Sequence, residues 1–148
     1  MSATTPVSTR PVQSAASPWR SVGLWMSALL IAYLFFNVLR ATADPAGFAA
    51  SFGIPLANPG DDAFVLVYAI RTLFLGLFGL ALLVRRSYAA LALFLLVATV
   101  MPIGDALLVW QRGGEPATIA RHIAITGIVL LTWFLTSRWV SRASAAGA

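Results

Sequence analysis

The chain has 148 residues and a formal net charge of +5; 59% of its residues are hydrophobic and only 10% are charged. A soluble domain has about a quarter of its residues charged, so this composition excludes an ordinary soluble protein. The chain has no cysteine, which also excludes disulfides, thiolate catalysis and cysteine-ligated metal sites.

All ten basic residues are arginines, and they stand singly or in pairs beside apolar runs. This placement is typical of topology signals in membrane proteins. It differs from the continuous basic stripe of a nucleic-acid-binding surface, so no nucleic-acid partner is expected.

The first segment, residues 1–20, is rich in Ser, Thr, Pro and Ala and is expected to be a disordered, cytoplasmic N-terminus. The apolar run over residues 21–39 follows, and its length suits a membrane span of about 20 residues. A signal peptide ending near Ala41-Thr42-Ala43 is the alternative, although its apolar region would be shorter, about 7–15 residues.

The segment between the first two spans predicts a short amphipathic helix at the membrane surface. Asp44 is a typical N-cap and Pro45 a favoured first helical residue. Phe48 and Phe52 are four residues apart and therefore share one face. Gly53 is expected to end the helix.

Three further spans are predicted over residues 63–84, 88–110 and 116–139. The third contains Pro102 and Gly104, which should break or bend its helix. The fold class is therefore all-α: a four-helix transmembrane bundle over residues 21–140, with a short interfacial helix between helices 1 and 2. Residues 141–148 are expected to form a cytoplasmic tail.

The arginines also predict the orientation. Six of them flank the N-terminus, the middle turn and the C-terminus: Arg10, Arg20, Arg85, Arg86, Arg138 and Arg142. The opposite loops are mainly acidic. The positive-inside rule then places both termini in the cytoplasm and the protein, as a multi-pass protein, in the plasma membrane or the cell inner membrane.

Ionisable residues inside spans are costly, by a few kcal/mol each on insertion scales, and each needs a reason. Counting about 1.5 Å per residue from the outer helix ends, Arg71 lies roughly 12 Å deep, and Asp105 and His122 roughly 8 Å. Asn37 lies near the outer end of the first helix. Four helices thus place polar groups in the same half of the bundle.

Arg71, Asp105 and His122 are the candidate catalytic residues. Arg71 could hold an anionic group, or it could form a structural ion pair with Asp105. Asp105 and His122 could act as an acid–base pair, or His122 could simply bond a neighbouring helix. Arg121 is expected to point elsewhere, towards lipid head groups.

Asn37, Tyr68, Phe48 and Phe52 are the candidate ligand-binding residues, although Tyr68 could equally serve in ordinary packing. No metal site is expected, because one histidine and one intramembrane carboxylate are too few ligands. No cofactor is predicted. The expected partners are membrane lipid and a lipophilic small molecule, with a homodimer as an option.

These residues resemble a bacterial and fungal family of small four-helix integral membrane proteins of unknown function, which is distantly similar to DoxX-like proteins. The resemblance rests on Asp44-Pro45-Ala46-Gly47-Phe48, Phe52-Gly53-Ile54-Pro55, Ala69-Ile70-Arg71 with Gly76-Leu77, Pro102-Ile103-Gly104-Asp105-Ala106, and His122. It implies the four-helix bundle and a polar signature of Arg71, Asp105 and His122, but no activity.

The leading hypothesis is an enzyme or binding protein for a lipophilic small molecule, with residues 44–60 as a lid over a polar site. The alternative is a non-catalytic membrane subunit or scaffold whose buried polar residues only fix helix packing. A transporter is a third option, which four helices could support as a dimer.

Overall fold

The structure, a computed structural model, describes Pro18 and residues 21–58 and 60–147. The predicted disorder of residues 1–20 therefore lies, apart from Pro18, outside the described residues. The described part of the chain forms six α-helices: α1 (Val22–Ala43), α2 (Pro45–Phe52), α3 (Asp62–Val84), α4 (Tyr88–Ala98), α5 (Val100–Gln111) and α6 (Pro116–Gly147).

Among the described residues, four stretches are long and apolar enough to cross a membrane: α1, α3, α4 together with α5, and α6. The 22 residues of α1 extend about 33 Å, which matches a hydrocarbon core about 30 Å thick. Large apolar side chains cover the outside; Phe64, for example, is 74% exposed. The predicted all-α, four-helix fold with a short helix between helices 1 and 2 is confirmed.

The four spans form a closed ring. Helix α1 packs against α3 and α6, α3 packs against α4, and α4 and α5 both pack against α6. Among the described helices, α3 lacks comparable close packing with α5. Around α5, the pairs α1–α3, α1–α6 and α5–α6 are therefore closely packed, whereas α3 and α5 are not.

The third span is interrupted at Thr99, three residues before Pro102. Proline has no N–H, so it cannot donate to the carbonyl of Ala98, and its ring crowds the preceding turn. The neighbouring backbone tightens accordingly, with the N–H of Thr99 donating to Leu96 at 3.3 Å. The predicted interruption exists, but it falls one turn earlier than the Pro102–Gly104 region itself.

Helix α2 begins and ends as the sequence predicts. Asp44 accepts a hydrogen bond from the N–H of Gly47 at 2.9 Å, and Pro45 occupies the first helical position. Gly53 ends the helix in a left-handed conformation, with φ of 105°. Helix α2 packs against both α1 and α3, so it lies across one end of the bundle, here called the α2 end.

Helix α6 has 32 residues and continues beyond the predicted end of its span. The segment predicted as a C-terminal tail is helical as far as Gly147.

Candidate functional site

A cavity of about 160 Å³ lies inside the bundle at the α2 end. All six helices contribute to its wall, and both α3 and α5 line it. It therefore occupies the region where these two helices do not pack closely together. A cavity of about 150 Å³ can hold a benzene-sized molecule, so this space is large enough for part of an organic ligand.

The cavity wall has a polar part and an apolar part. The apolar part lies farther from α2 and includes Ile31, Leu91 and Leu95, each at most 5% exposed. The polar part lies under and beside α2 and comprises Asn37, Arg40, Ser51, Tyr68, Thr72, Asp105, Arg121 and His122. The predicted convergence of polar groups is thus found for Asn37, Tyr68, Asp105 and His122, but it also includes residues that were not predicted.

His122 connects α6 to the end of α2. Its side chain is buried, and Nε2 lies 3.1 Å from the backbone carbonyl oxygen of Phe52. A carbonyl oxygen can only accept, so Nε2 carries the hydrogen and donates it. The predicted bond to a neighbouring helix is therefore found.

Asp105 lies on α5, the second half of the broken span, and its side chain is partly buried. It interacts electrostatically with His122 and Tyr68. Within the described part of the chain, no hydrogen bond or ion pair to another residue holds its carboxyl group. A carboxyl group facing a cavity without such a bond is available to a ligand's donor group.

Arg71 does not reach this site, and the expectation that it would meet Asp105 and His122 in one cavity is corrected. Its side chain is exposed, and it is not part of the cavity wall. The inward face of α3 is set by small or short side chains at Ala69, Thr72 and neighbouring turns. Each residue turns a helix by 100°, so Arg71 points out of that face. Neither an ion pair with Asp105 nor an anion clamp at Arg71 fits this placement.

Arg121 and Arg40 line the cavity instead, and neither was among the predicted site residues. Arg121 was expected to reach lipid head groups, but its Nη2 donates to the backbone carbonyl of Ser51 in α2. From α1, Arg40 Nη2 donates to the Ser51 hydroxyl at 3.0 Å. Spacing could have identified Arg40, since it lies three residues after Asn37 on the same helix face.

Three aromatic rings pack together where α2 covers the cavity. Phe48 and Phe52 approach Tyr68 of α3 with centroid distances of 5.3 Å and 5.9 Å. Both phenylalanines therefore share one face, as the i, i+4 spacing predicts, and that face meets the bundle. These contacts, with the bonds to His122 and Arg121, seat α2 on the bundle as a cover.

Asn37 and Thr72 are buried polar residues in the wall, at 7% and 2% exposure. The Asn37 amide donates to the carbonyl of Tyr33 at 3.1 Å, and the Thr72 hydroxyl donates to the carbonyl of Tyr68 at 2.9 Å. Each bond stays within its own helix. The amide oxygen of Asn37 remains an acceptor for a cavity ligand.

No group of three or more His, Cys, Asp or Glu side chains that could hold a metal ion occurs among the described residues. The arrangement instead offers hydrogen-bond donors, one carboxyl group and one imidazole at the polar end of a largely apolar pocket. This is a common composition for small-molecule sites, in which a few polar groups orient a mainly apolar ligand.

Comparison with known proteins gives one match. Residues 31–136, from the middle of α1 into α6, match the model of a family described as a domain of unknown function (DUF4267). The chain belongs to this family. The match covers the helices that form the cavity, including Asp105 and His122.

No curated protein and no solved structure matches the chain. The family membership confirms the expected resemblance to a family of unknown function, and the four apolar helices agree with a membrane protein. A relationship to the DoxX-like proteins is not shown by the comparisons.

Proposed function

We propose that this protein binds a lipophilic small molecule within the membrane, in the cavity at the α2 end. The observation that carries the proposal is the division of the cavity wall into a polar and an apolar part. A ligand would place its polar group against the polar part of the wall and its apolar part against Leu91 and Leu95. Broken membrane helices such as α4–α5 are tolerated where they line a cavity.

The helix arrangement supports access from the lipid. Helices α3 and α5 both line the cavity without packing closely on each other, so a lipophilic molecule could enter between them. Helix α2 covers the end of the cavity, and its aromatic side chains form part of the wall. Residues 44–60 would then act as the lid expected from the sequence.

The orientation is part of the proposal. The arginines beside the N-terminus, the α3–α4 turn and the C-terminus favour a cytoplasmic location for both termini. The α2 end and the cavity would then lie in the outer half of the plasma membrane or cell inner membrane. The ligand would enter from the outer leaflet.

Filling the cavity tests the proposal. Ala98 lines the cavity on α4, whereas Ala90 on the same helix is exposed on the outside. The full chain and its Ala98→Phe and Ala90→Phe variants would be purified in a neutral detergent, and their co-purified lipophilic molecules identified by mass spectrometry. We expect a molecule that accompanies the unmodified chain and Ala90→Phe but is lost from Ala98→Phe. Equal recovery from all three would contradict the proposal.

The alternative is a scaffold whose polar residues only fix helix packing. The bond between His122 and the Phe52 carbonyl favours this alternative, because it is an interhelical contact that needs no ligand. A scaffold would carry no specific molecule in the cavity. An acid–base role of Asp105 with His122, the DoxX-like relationship and a homodimer stay predictions.

A further inference from the structure

We infer that the ligand is an anionic amphiphile, and that Arg40 and Arg121 hold its phosphate or other oxyanion group at the α2 end of the cavity. The inference rests on the proposed function and names the class of molecule that the cavity takes. It also moves the role of anion clamp, expected at Arg71, to two other arginines.

The two guanidinium groups converge on one residue from different helices. Arg40 of α1 donates to the Ser51 hydroxyl at 3.0 Å, and Arg121 of α6 donates to the Ser51 carbonyl. Both arginines also line the cavity. Two positive charges therefore stand beside the same turn of α2, at the polar end of the space available to a ligand.

Arg40 is held in place by more than one contact. Its guanidinium carbon lies 5.9 Å from the ring centroid of Phe36 and 5.8 Å from that of Phe48, within cation–π range. The Ser51 hydroxyl that accepts from Arg40 donates in turn to the carbonyl of Phe48 at 2.8 Å. The guanidinium is thus oriented before any ligand binds, which lowers the entropic cost of binding.

Most donors of the pair remain for a ligand. A guanidinium has five N–H donors, and the hydrogen bonds to Ser51 take one Nη2 group of each arginine. Among the described residues, neither arginine forms an ion pair with a carboxylate, and the electrostatic interactions of Asp105 are with His122 and Tyr68. Two uncompensated guanidinium groups attract an oxyanion, and forked donors suit phosphate and carboxylate geometry.

The apolar part of the wall indicates an amphiphile. The cavity that begins at Arg40 and Arg121 continues to Leu91 and Leu95 of α4. A free inorganic ion would leave this apolar surface unused. A molecule with an oxyanion group and a hydrocarbon chain would use both parts of the wall.

Matched probes test the inference on the full chain in neutral detergent. Monooleoylglycerol and lysophosphatidic acid with the same oleoyl chain differ in the phosphate, and inorganic phosphate lacks the chain. Native mass spectrometry would give the affinity of each probe. We expect lysophosphatidic acid to bind about tenfold or more tightly than monooleoylglycerol, and inorganic phosphate to bind weakly.

Variants locate the phosphate. Arg40→Gln and Arg121→Gln should each lower the affinity for lysophosphatidic acid about tenfold and leave the affinity for monooleoylglycerol unchanged. Arg112→Gln is the matched control, because Arg112 is exposed like Arg40 and Arg121 but is not part of the cavity wall. Equal affinity for the two lipids, or equal loss in all three variants, would overturn the inference.

The remaining outcomes separate the two proposals. If Ala98→Phe abolishes binding of both lipids while the arginine variants change nothing, the cavity binds lipophiles but not by an anionic group. If the arginine variants weaken lysophosphatidic acid while Ala98→Phe does not, the arginines form a surface site and the proposed function fails. If inorganic phosphate binds as tightly as lysophosphatidic acid, the ligand is a free oxyanion, and the inference of an amphiphilic ligand is wrong.

Discussion

The His122 side chain contacts both the backbone carbonyl and the aromatic ring of Phe52. The imidazole Nε2 of His122 donates to the Phe52 carbonyl at 3.1 Å, and the two rings pack edge to face with centroids 4.9 Å apart. The carbonyl belongs to the last residue of α2, where helical carbonyls lack partners within the helix. A side chain of α6 thus caps the C-terminus of α2.

Replacement of His122 should therefore loosen α2. His122→Leu leaves the Phe52 carbonyl without its donor, and we expect a loss of about 1–3 kcal/mol in the free energy of unfolding. His122→Gln retains an amide donor and should recover part of that loss. Thermal unfolding in neutral detergent measures both variants, and equal stabilities of the two would argue against the capping bond.

The left-handed conformation of Gly53 predicts opposite effects for the same substitution at two glycines. At Gly53, with φ of 105°, a Cβ atom would lie 2.6 Å from Thr118 Cγ2. Gly53→Ala should therefore cost about 1–3 kcal/mol. Gly127 in α6 has no heavy atom within 4 Å of an added Cβ, so Gly127→Ala should stabilise the helix by up to about 1 kcal/mol. Thermal unfolding of both variants checks the sign, and a neutral Gly53→Ala would contradict the described turn.

Arg71 and Asp105 should behave as independent sites. A buried ion pair would make each single substitution destabilising and the double substitution partly compensating. Since Arg71 is exposed and not part of the cavity wall, we expect the effects of Arg71→Met and Asp105→Asn on stability to add within about 0.3–0.5 kcal/mol. A double-mutant cycle in detergent measures the coupling energy. A larger value would support an ion pair between Arg71 and Asp105.

The proposed orientation is testable with reporter fusions. Fusions after Arg86 and after Arg142 should both report a cytoplasmic location, and a fusion near Gly60 should report an external one. The reason is the concentration of arginines beside the termini and the α3–α4 turn. An external C-terminus would exclude this orientation.

The spans and α2 could be predicted from the sequence because their signals are local. Apolar length alone marks a membrane helix, and Asp44, Pro45 and Gly53 mark the two ends of α2. The depth of a polar residue is also local, since it follows from counting along the helix. These signals predicted which half of the bundle is polar. They also predicted that Asp105 and His122 lie near each other, and both line one cavity in the structure.

The direction of a side chain around its helix is not given by depth. Arg71 lies in the interior of α3, as the sequence predicts, but the buried positions of α3, among them Ala69, Thr72 and Gly76, define an inward face that excludes it. The contacts of Arg40 and Arg121 with Ser51 depend on where α2 lies after the chain folds back. No local pattern specifies that placement, so the contact of Arg121 with α2 could not be predicted from the sequence.

The closure of the cavity also has a consequence for the order of assembly during synthesis. The bonds from Arg121 to Ser51 and from His122 to Phe52 each join residues 70 positions apart. Ser51 and Phe52 leave the ribosome long before α6 does. The carbonyls at the C-terminal end of α2 therefore cannot accept these hydrogen bonds until the fourth span has been synthesised. A nascent chain that stops after α5 would contain the first three spans but lack the α6 wall of the cavity.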